Sequence, residues 1–284
     1  MIGGGALQVP VRLRDGRTSI VRMHGGRVGH TEITASGNLR GAGPRAELTA
    51  LVRRMLRLDD DYSAFYARAV LDPELAWVAG GAGRFLRSAT AFEDVVKTIC
   101  TTNCTWSATV RMTDALVAAL GEPVAGKPDA HLFPTPQAMA AAPPAWYRDV
   151  ARAGYRGAYL RAIAAAVASG DLDLDALADT PSGELPDDEL ERKLRELPGV
   201  GPYAAAHIML LMGRYSRLVF DSWTRPKYAR LRGRKPPSDA AIVRRFKPYG
   251  RFAGLAFWCY VTSDWLDESA EAMAERTVGS RSVS

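Results

Sequence analysis

Leu197-Pro198-Gly199-Val200-Gly201-Pro202-Tyr203-Ala204-Ala205, followed by Asp221 within Val219-Phe220-Asp221-Ser222-Trp223, is the stretch on which the reading of this chain turns. Upstream, Asp187 to Glu196 carries Leu190 and Leu194, with Leu197 just beyond, on one side of a helical pattern and charges on the other. Pro198 and Gly199 stop that helix. Pro202 suits the first turn of the next one, which runs through Ala204 to Met212. Gly199 and Gly201 permit backbone conformations that a side chain forbids, and they let a phosphate approach main-chain N–H groups. The free N–H groups and positive end of the second helix favour an anion, in a contact blind to base sequence. A single carboxylate, Asp221, then stands about a helix length beyond the turn.

Composition agrees with a polyanionic partner. The 284 residues have room for two lobes and a sizeable core, and the formal charge of +6 gives a pI near 9.3. The basic residues crowd just after Asp221: Arg225, Lys227, Arg230, Arg232, Arg234, Lys235, Arg244, Arg245, Lys247 and Arg251. A run placed there is expected to line a DNA backbone rather than to be an ordinary solvated face. No apolar run reaches the roughly 18 residues of a membrane span, and the N-terminus lacks the order of a signal peptide. A soluble, monomeric, cytoplasmic protein is the expectation, nucleoid-associated if the source is bacterial. The histidines His24, His30, His131 and His207 show no paired ligand spacing, so no metal is expected, and His207 is read as a packing residue.

The fold class is mainly α. Leu7–Leu13 and Thr18–Met23 alternate in character around Asp15-Gly16, with a Gly25-Gly26 turn before Val28, and predict a small N-terminal antiparallel sheet in a region spanning residues 1–44. Residues 45–284 form a helical domain, with helices predicted at Ala46–Leu58, Tyr62–Val70, Phe92–Cys104, Ala108–Leu120, Pro136–Ala141, Tyr159–Ala168, the two hairpin helices, and Phe252–Leu266. Residues 231–238 read as a basic loop, because Pro236-Pro237 interrupts any helix.

The hairpin and the following Asp resemble the signature of the HhH-GPD superfamily of base-excision DNA glycosylases, and their spacing matches without a gap. The resemblance extends over roughly residues 85 to 265 and implies a two-lobed helix-hairpin-helix fold with duplex DNA in the cleft. A short sheet before a helical body is similar to the 3-methyladenine glycosylase II and 8-oxoguanine glycosylase branches. It implies DNA contacts from Pro198, Gly199, Val200 and Gly201, with Arg225 and Lys227 beside them. Asn103, ending the Phe92–Asn103 segment, falls where the 8-oxoguanine branch touches the orphaned strand. Gly154-Tyr155-Arg156-Gly157 resembles the wedge segment: Tyr155 would fill the space left by the rotated base, and Arg156 would support it. Cys100, Cys104 and Cys259 cannot build the four-cysteine iron–sulfur site of some members, so no such cofactor is implied, while a monovalent cation at the hairpin stays open.

Cleaving a base from its deoxyribose requires extruding the nucleotide and stabilising a sugar with oxocarbenium character. Asp221 is the candidate carboxylate, and Asp-Ser-Trp-Thr also reads as a helix cap that would fix it. In the glycosylase/lyase members a Lys stands two residues after the second hairpin Gly. Tyr203 stands there in this chain, which implies a monofunctional enzyme without an imine intermediate. The base-reading Gln of the 8-oxoguanine branch falls on Gly254, and its stacking Phe on Trp258. Trp106, Trp223 and Trp258 are read as an aromatic pocket suited to alkylated purines. The alternatives are a glycosylase for mismatched uracil or thymine or for an oxidised base, and a non-catalytic protein that binds lesions without cutting.

Overall fold

The computed structural model describes residues 2–3, 6–27, 29–37, 39, 41–233 and 237–265. Val28, Arg234, Lys235, Pro236 and Leu266, named in the N-terminal turn, the basic run and loop and the last helix, lie outside the described residues. The chain opens with an antiparallel sheet in sequence order, β1 (Ile2–Gly3), β2 (Ala6–Arg12), β3 (Thr18–Gly25) and β4 (Thr31–Ala35). Val9 pairs with Val21, and Met23 with both Leu7 and Ile33. The alternation of β2 and β3 turns Val11, Val21 and Met23 to one side, where Leu48, Val52 and Met55 of α1 (Ala42–Leu56) cover them. The sheet therefore has a third long strand beyond the two predicted, and its core is completed by the first helix.

Helices follow: α2 (Ser63–Ala69), α3 (Ala91–Thr101) and α4 (Trp106–Leu120), then a two-stranded ribbon of β5 (Pro123–Val124) and β6 (Lys127–His131). After it come α5 (Pro136–Ala141), α6 (Pro144–Asp149), α7 (Arg156–Ser169), α8 (Leu174–Asp179), α9 (Asp187–Arg195), α10 (Pro202–Leu211), α11 (Thr224–Leu231), α12 (Asp239–Phe246) and α13 (Ala253–Val261). No helix of the described residues is long and apolar enough to cross a membrane.

Two helical cores meet on α10. Ala204, Ala205, Ile208 and Met209 enter a core built on α3, α5, α7 and α9. Ala206 and Leu210, from the opposite side, enter a second core with Phe65, Tyr228, Phe246, Phe252 and Phe257. A helix apolar on all sides is buried by geometry, and α10 is the shared wall of both lobes. Burying each large side chain contributes about 1.5–3 kcal/mol.

The helices absent from the predicted set have local reasons. α6 and α8 are six residues each, too short to show a period. α11 carries Pro226 in its first turn, where the missing N–H has no intrahelical partner to lose. α12 starts cleanly after Pro237, with Ser238 accepting from the Ala241 N–H at 3.3 Å.

Candidate nucleic-acid interface and active site

The hairpin forms between α9 and α10, and its two glycines do different work. Gly199 has φ +79°, and a Cβ there would lie 2.4 Å from the Tyr159 ring. It is glycine by necessity. Gly201, contrary to expectation, has φ −85° and ψ −176°, extended backbone open to any residue, and a Cβ would meet nothing within 4 Å. It stands exposed at the start of α10, where no side chain caps the helix and no acid occupies the first turn. Val200 between them is buried in the first lobe, while Pro198 stays exposed.

Across a groove from the hairpin lies the turn after α3. Asn103 sits there in the left-handed region with φ +47°, and its Nδ2 donates to the Tyr155 hydroxyl at 3.2 Å. Two segments far apart in sequence thus converge. Tyr155 is 53% exposed at the start of α7, with its ring 5.8 Å from that of Tyr159 and 4.7 Å from the Arg156 guanidinium carbon. Arg156 is itself buried: Nε donates to the Thr102 carbonyl at 2.9 Å, and Nη2 donates to the same oxygen. The structure therefore gives Arg156 the task of holding the Asn103 turn and backing Tyr155, and not of reaching a phosphate.

Asp221 is anchored by the helix behind it. Oδ1 accepts from the Trp223 N–H at 2.8 Å and the Thr224 N–H at 2.6 Å, while the Asp221 N–H donates to Thr224 Oγ1 at 2.9 Å. Thr224 is fully buried, so this reciprocal cap has a fixed base. Oδ2 takes no hydrogen bond from the described residues. One oxygen positions the carboxylate and the other is left for chemistry.

The Asp221 charge bears on Tyr203 and His207 of α10 and on Arg225, whose Nη1 donates to the Asp221 carbonyl at 3.3 Å. Tyr203 donates or accepts at Thr101 Oγ1 over 3.1 Å; burial, reinforced by the Asp221 charge, raises its phenol above the ordinary range. One turn along α10, the His207 ring lies 6.0 Å from Tyr203, 6.0 Å from Phe85 and 5.8 Å from Trp258. Burial pulls the His207 pKa down to about 4, opposed by the nearby Asp221 charge. The ring is thus neutral at pH 7. Trp258 lies 6.1 Å from Trp223 and 6.4 Å from Trp265, closing the arrangement.

This cage corrects the pocket read from the sequence in three ways. Trp106 is outside it: the indole begins α4 with 74% of its surface exposed. Trp265 takes the third tryptophan place, and Phe85 and His207 complete the walls. Gly254 is not a wall position, because a Cβ there would lie 1.9 Å from the Arg217 carbonyl oxygen, and its N–H donates to the Tyr215 carbonyl at 2.7 Å. Backbone packing, not a lost amide, explains that glycine. His207 and Tyr203 share a helical face at i and i+4, a signal present in the sequence.

The basic run also differs from expectation. Lys227 is buried and ion-paired with Asp264, so its ammonium is not offered to a phosphate. Arg225 forms a two-pronged pair with Asp239, both bonds at 2.8 Å. Arg245 reaches Asp72 at 2.6 Å and Glu74 at 3.1 Å, and Arg232 approaches Glu74 at 3.6 Å. Arg225, Lys227, Arg232 and Arg245 are thus tied to acids of the fold rather than offered outward.

No protein-family profile matches this chain, and no curated protein sequence does. Its fold, however, is that of solved DNA glycosylases. The Clostridium acetobutylicum 8-oxoguanine glycosylase/lyase, solved with double-stranded DNA containing cytosine opposite 8-oxoG, superposes with a TM-score of 0.69 at 21% identity, covering 92% of this chain and 88% of that one. The Archaeoglobus fulgidus 3-methyladenine DNA glycosylase gives 0.70 at 20% identity over 93% and 88%. MBOgg1 in complex with a low-affinity DNA ligand gives 0.68 at 22% over 92% and 90%. The chain therefore has the two-lobed helix-hairpin-helix glycosylase fold with a small N-terminal sheet.

Proposed function

We propose that this chain is a monofunctional DNA glycosylase that binds double-stranded DNA, extrudes a damaged base, foremost an alkylated purine, and hydrolyses its N-glycosidic bond. The observation that carries the reading is Asp221. Its carboxylate is fixed by two backbone N–H groups on one oxygen, is free on the other, and stands beside an aromatic cage next to an uncapped helix start.

The parts divide the work by their chemistry. The hairpin N–H groups at the start of α10 take a phosphate, and Gly201 leaves room for it. Tyr155, exposed and braced by Arg156 and Asn103, fills the stack as the nucleotide rotates out. In the cage the base lies against Trp258 and its neighbours. A cationic methylated purine gains there by stacking and cation–π attraction. The bond from the sugar to the base breaks with its electron pair going to the base, which leaves neutral. Asp221 stabilises the positive sugar, and as water adds to the anomeric carbon its proton passes to the carboxylate.

Tyr203 offers no amine at the position from which an imine would form. Lys227, near in sequence to Asp221, is held in its ion pair with Asp264. The reading calls for no iron–sulfur cluster or other redox cofactor, and it places the protein with cellular DNA, in the cytoplasm or nucleoid.

A panel of duplexes, each with one damaged base, tests this. Methylated purines should appear as free bases, leaving an abasic strand that breaks only on alkaline heating, and borohydride should trap no adduct. If no lesion yields a free base, the glycosylase reading falls. A covalent protein–DNA adduct would overturn the monofunctional part alone.

A further inference from the structure

His207 sets an imidazole among the rings of the aromatic cage. Phe85, Tyr203 and Trp258 surround its ring at 5.8–6.0 Å. Its Nδ1 is buried and has no hydrogen-bond partner. Its Nε2 has no partner among the described residues either, yet it is not among the buried unpartnered atoms, and the residue as a whole is only half-buried. The open edge of the ring is therefore the Nε2 edge.

That geometry selects a tautomer. A neutral imidazole carries one proton, and a buried N–H without an acceptor costs more than a bare ring nitrogen in the same place, since orphaned buried donors are the rarer case in native proteins. The proton belongs on Nε2, where water or a ligand can accept from it. Resting on the glycosylase reading above, we propose that His207 reads the flipped base: its Nε2–H donates to a ring nitrogen or carbonyl oxygen that keeps a free lone pair on the base edge. The polar contact to the base edge thus comes from α10.

The assignment fits the favoured substrates. 3-Methyladenine keeps lone pairs at N1 and N7, and 7-methylguanine at O6 and N3, so each presents acceptors at different places on its edge. An imidazole held neutral by burial adds no positive charge to repel a cationic base. A protonated histidine or a lysine in that position would.

The test uses duplex DNA methylated with dimethyl sulfate, which carries both bases, and compares the unmodified chain with His207→Phe and His207→Gln. Phenylalanine keeps the ring and removes the donor; glutamine restores an N–H. For His207→Phe the expected result is a roughly tenfold lower kcat, the size of one neutral hydrogen bond. KM for DNA should be unchanged, the ratio of 3-methyladenine to 7-methylguanine release should be altered, and His207→Gln should recover part of the rate. Nitrogen-15 NMR of histidine-labelled protein at pH 7 should show Nε2 protonated and Nδ1 bare, a readout independent of whether the variants fold. An active unmodified chain with His207→Phe equally fast and equally selective overturns this inference and leaves the glycosylase reading standing. A proton found on Nδ1 overturns it as well. If the unmodified chain releases neither base, this inference falls together with the alkylated-purine part of the reading, and the lesion panel decides the rest.

Discussion

At its C-terminal end α10 is closed by a buried arginine, whereas its N-terminal end finishes in backbone N–H groups that no side chain caps. Arg57, reaching in from beyond α1, donates to the Leu211 and Phe85 carbonyls and pairs with Asp60 at 2.9 Å. Gly213 packs so tightly there that a Cβ would lie 2.5 Å from the guanidinium. The negative end of the helix is thereby neutralised, and its carbonyl satisfied, by the fold itself. The positive end carries no acid in its first turn and opens onto a groove shared with Asn103 and Tyr155. In the function proposed above, the bare end is the one that takes the anionic ligand.

The same contrast separates the hairpin from the basic run after Asp221. Charge counted along the sequence suggests that residues 225–251 are the DNA surface. Paired with Asp72, Asp239 and Asp264, three of those cations are committed to the fold. The proposed interface is therefore placed by unspent hydrogen-bonding capacity more than by positive charge.

The largest expected effect lies with Asp221. Asp221→Asn should lower base release about 100- to 1,000-fold, since a preorganised charge at the developing sugar cation is lost. Asparagine caps a helix nearly as well, so the fold should persist, and duplex affinity should be equal or tighter. Near-normal turnover in a single-turnover assay would remove Asp221 from the chemistry.

Arg57→Ala attacks the finished end. It leaves the Leu211 carbonyl unpaired and Asp60 without its partner, and it should cost about 3 kcal/mol of stability by urea unfolding. DNA affinity of the folded fraction should be unchanged. Loss of binding at full stability would break the division between the two ends.

The two hairpin glycines sharpen the comparison further. Gly199→Ala meets both a left-handed backbone and the Tyr159 ring, and should destabilise the free protein by about 1–3 kcal/mol. Gly201→Ala should leave stability within about 0.5 kcal/mol while weakening binding to all duplexes alike, because the methyl stands where the phosphate approaches. An effect of Gly201→Ala confined to one lesion would mean that the hairpin reads the base.

The pH dependence follows from two buried groups of opposite sign. His207, lowered by burial from 6.5 to about 4, binds its proton more readily in the unfolded chain, so its contribution to stability is lost as pH falls from 6.5 toward 4. Asp94, raised by burial from 3.8 to about 6, is protonated more readily in the folded chain, so its contribution is lost as pH rises from 3.8 toward 6. His207→Phe should therefore gain stability relative to the unmodified chain at pH 5 compared with pH 7, by urea unfolding at each pH. No change in that difference would refute the burial of the ring.

The smallest effects belong to the basic run. Arg225→Ala and Arg245→Ala should change duplex affinity by no more than about threefold and alter its salt dependence by less than about one phosphate contact each. A steep loss of salt dependence in either would move the DNA surface onto the second lobe.

What was legible in the sequence was local. A Pro-Gly break between two helical periods marks the hairpin, and Asp-Ser-Trp-Thr marks the cap that fixes Asp221, because both are decided by neighbours along the chain. The cage was only partly legible. Trp223 and Trp258 belong to it, but Phe85 and Trp265 enter from segments without a motif, and Trp106 stays in solvent on α4. Gly254 reads as a missing side chain until the backbone of Arg217 is seen against it. The run of cations gives no hint of the acids just after α2, in α12 and beyond α13 that pair with Arg225, Lys227, Arg232 and Arg245, since ion pairing is a property of the folded chain.

Hydrogen–deuterium exchange of Asp221→Asn with and without a lesion duplex is the most direct measurement of where DNA is held. Protection on binding is expected in the backbone N–H groups of Gly201 and residues 203–205, in the turn at 102–106 and around Tyr155, with 225–233 and 237–251 little changed. Protection confined to 225–233 and 237–251, with the start of α10 exchanging as fast as in the free protein, would contradict the assignment of the open helix end as the DNA grip.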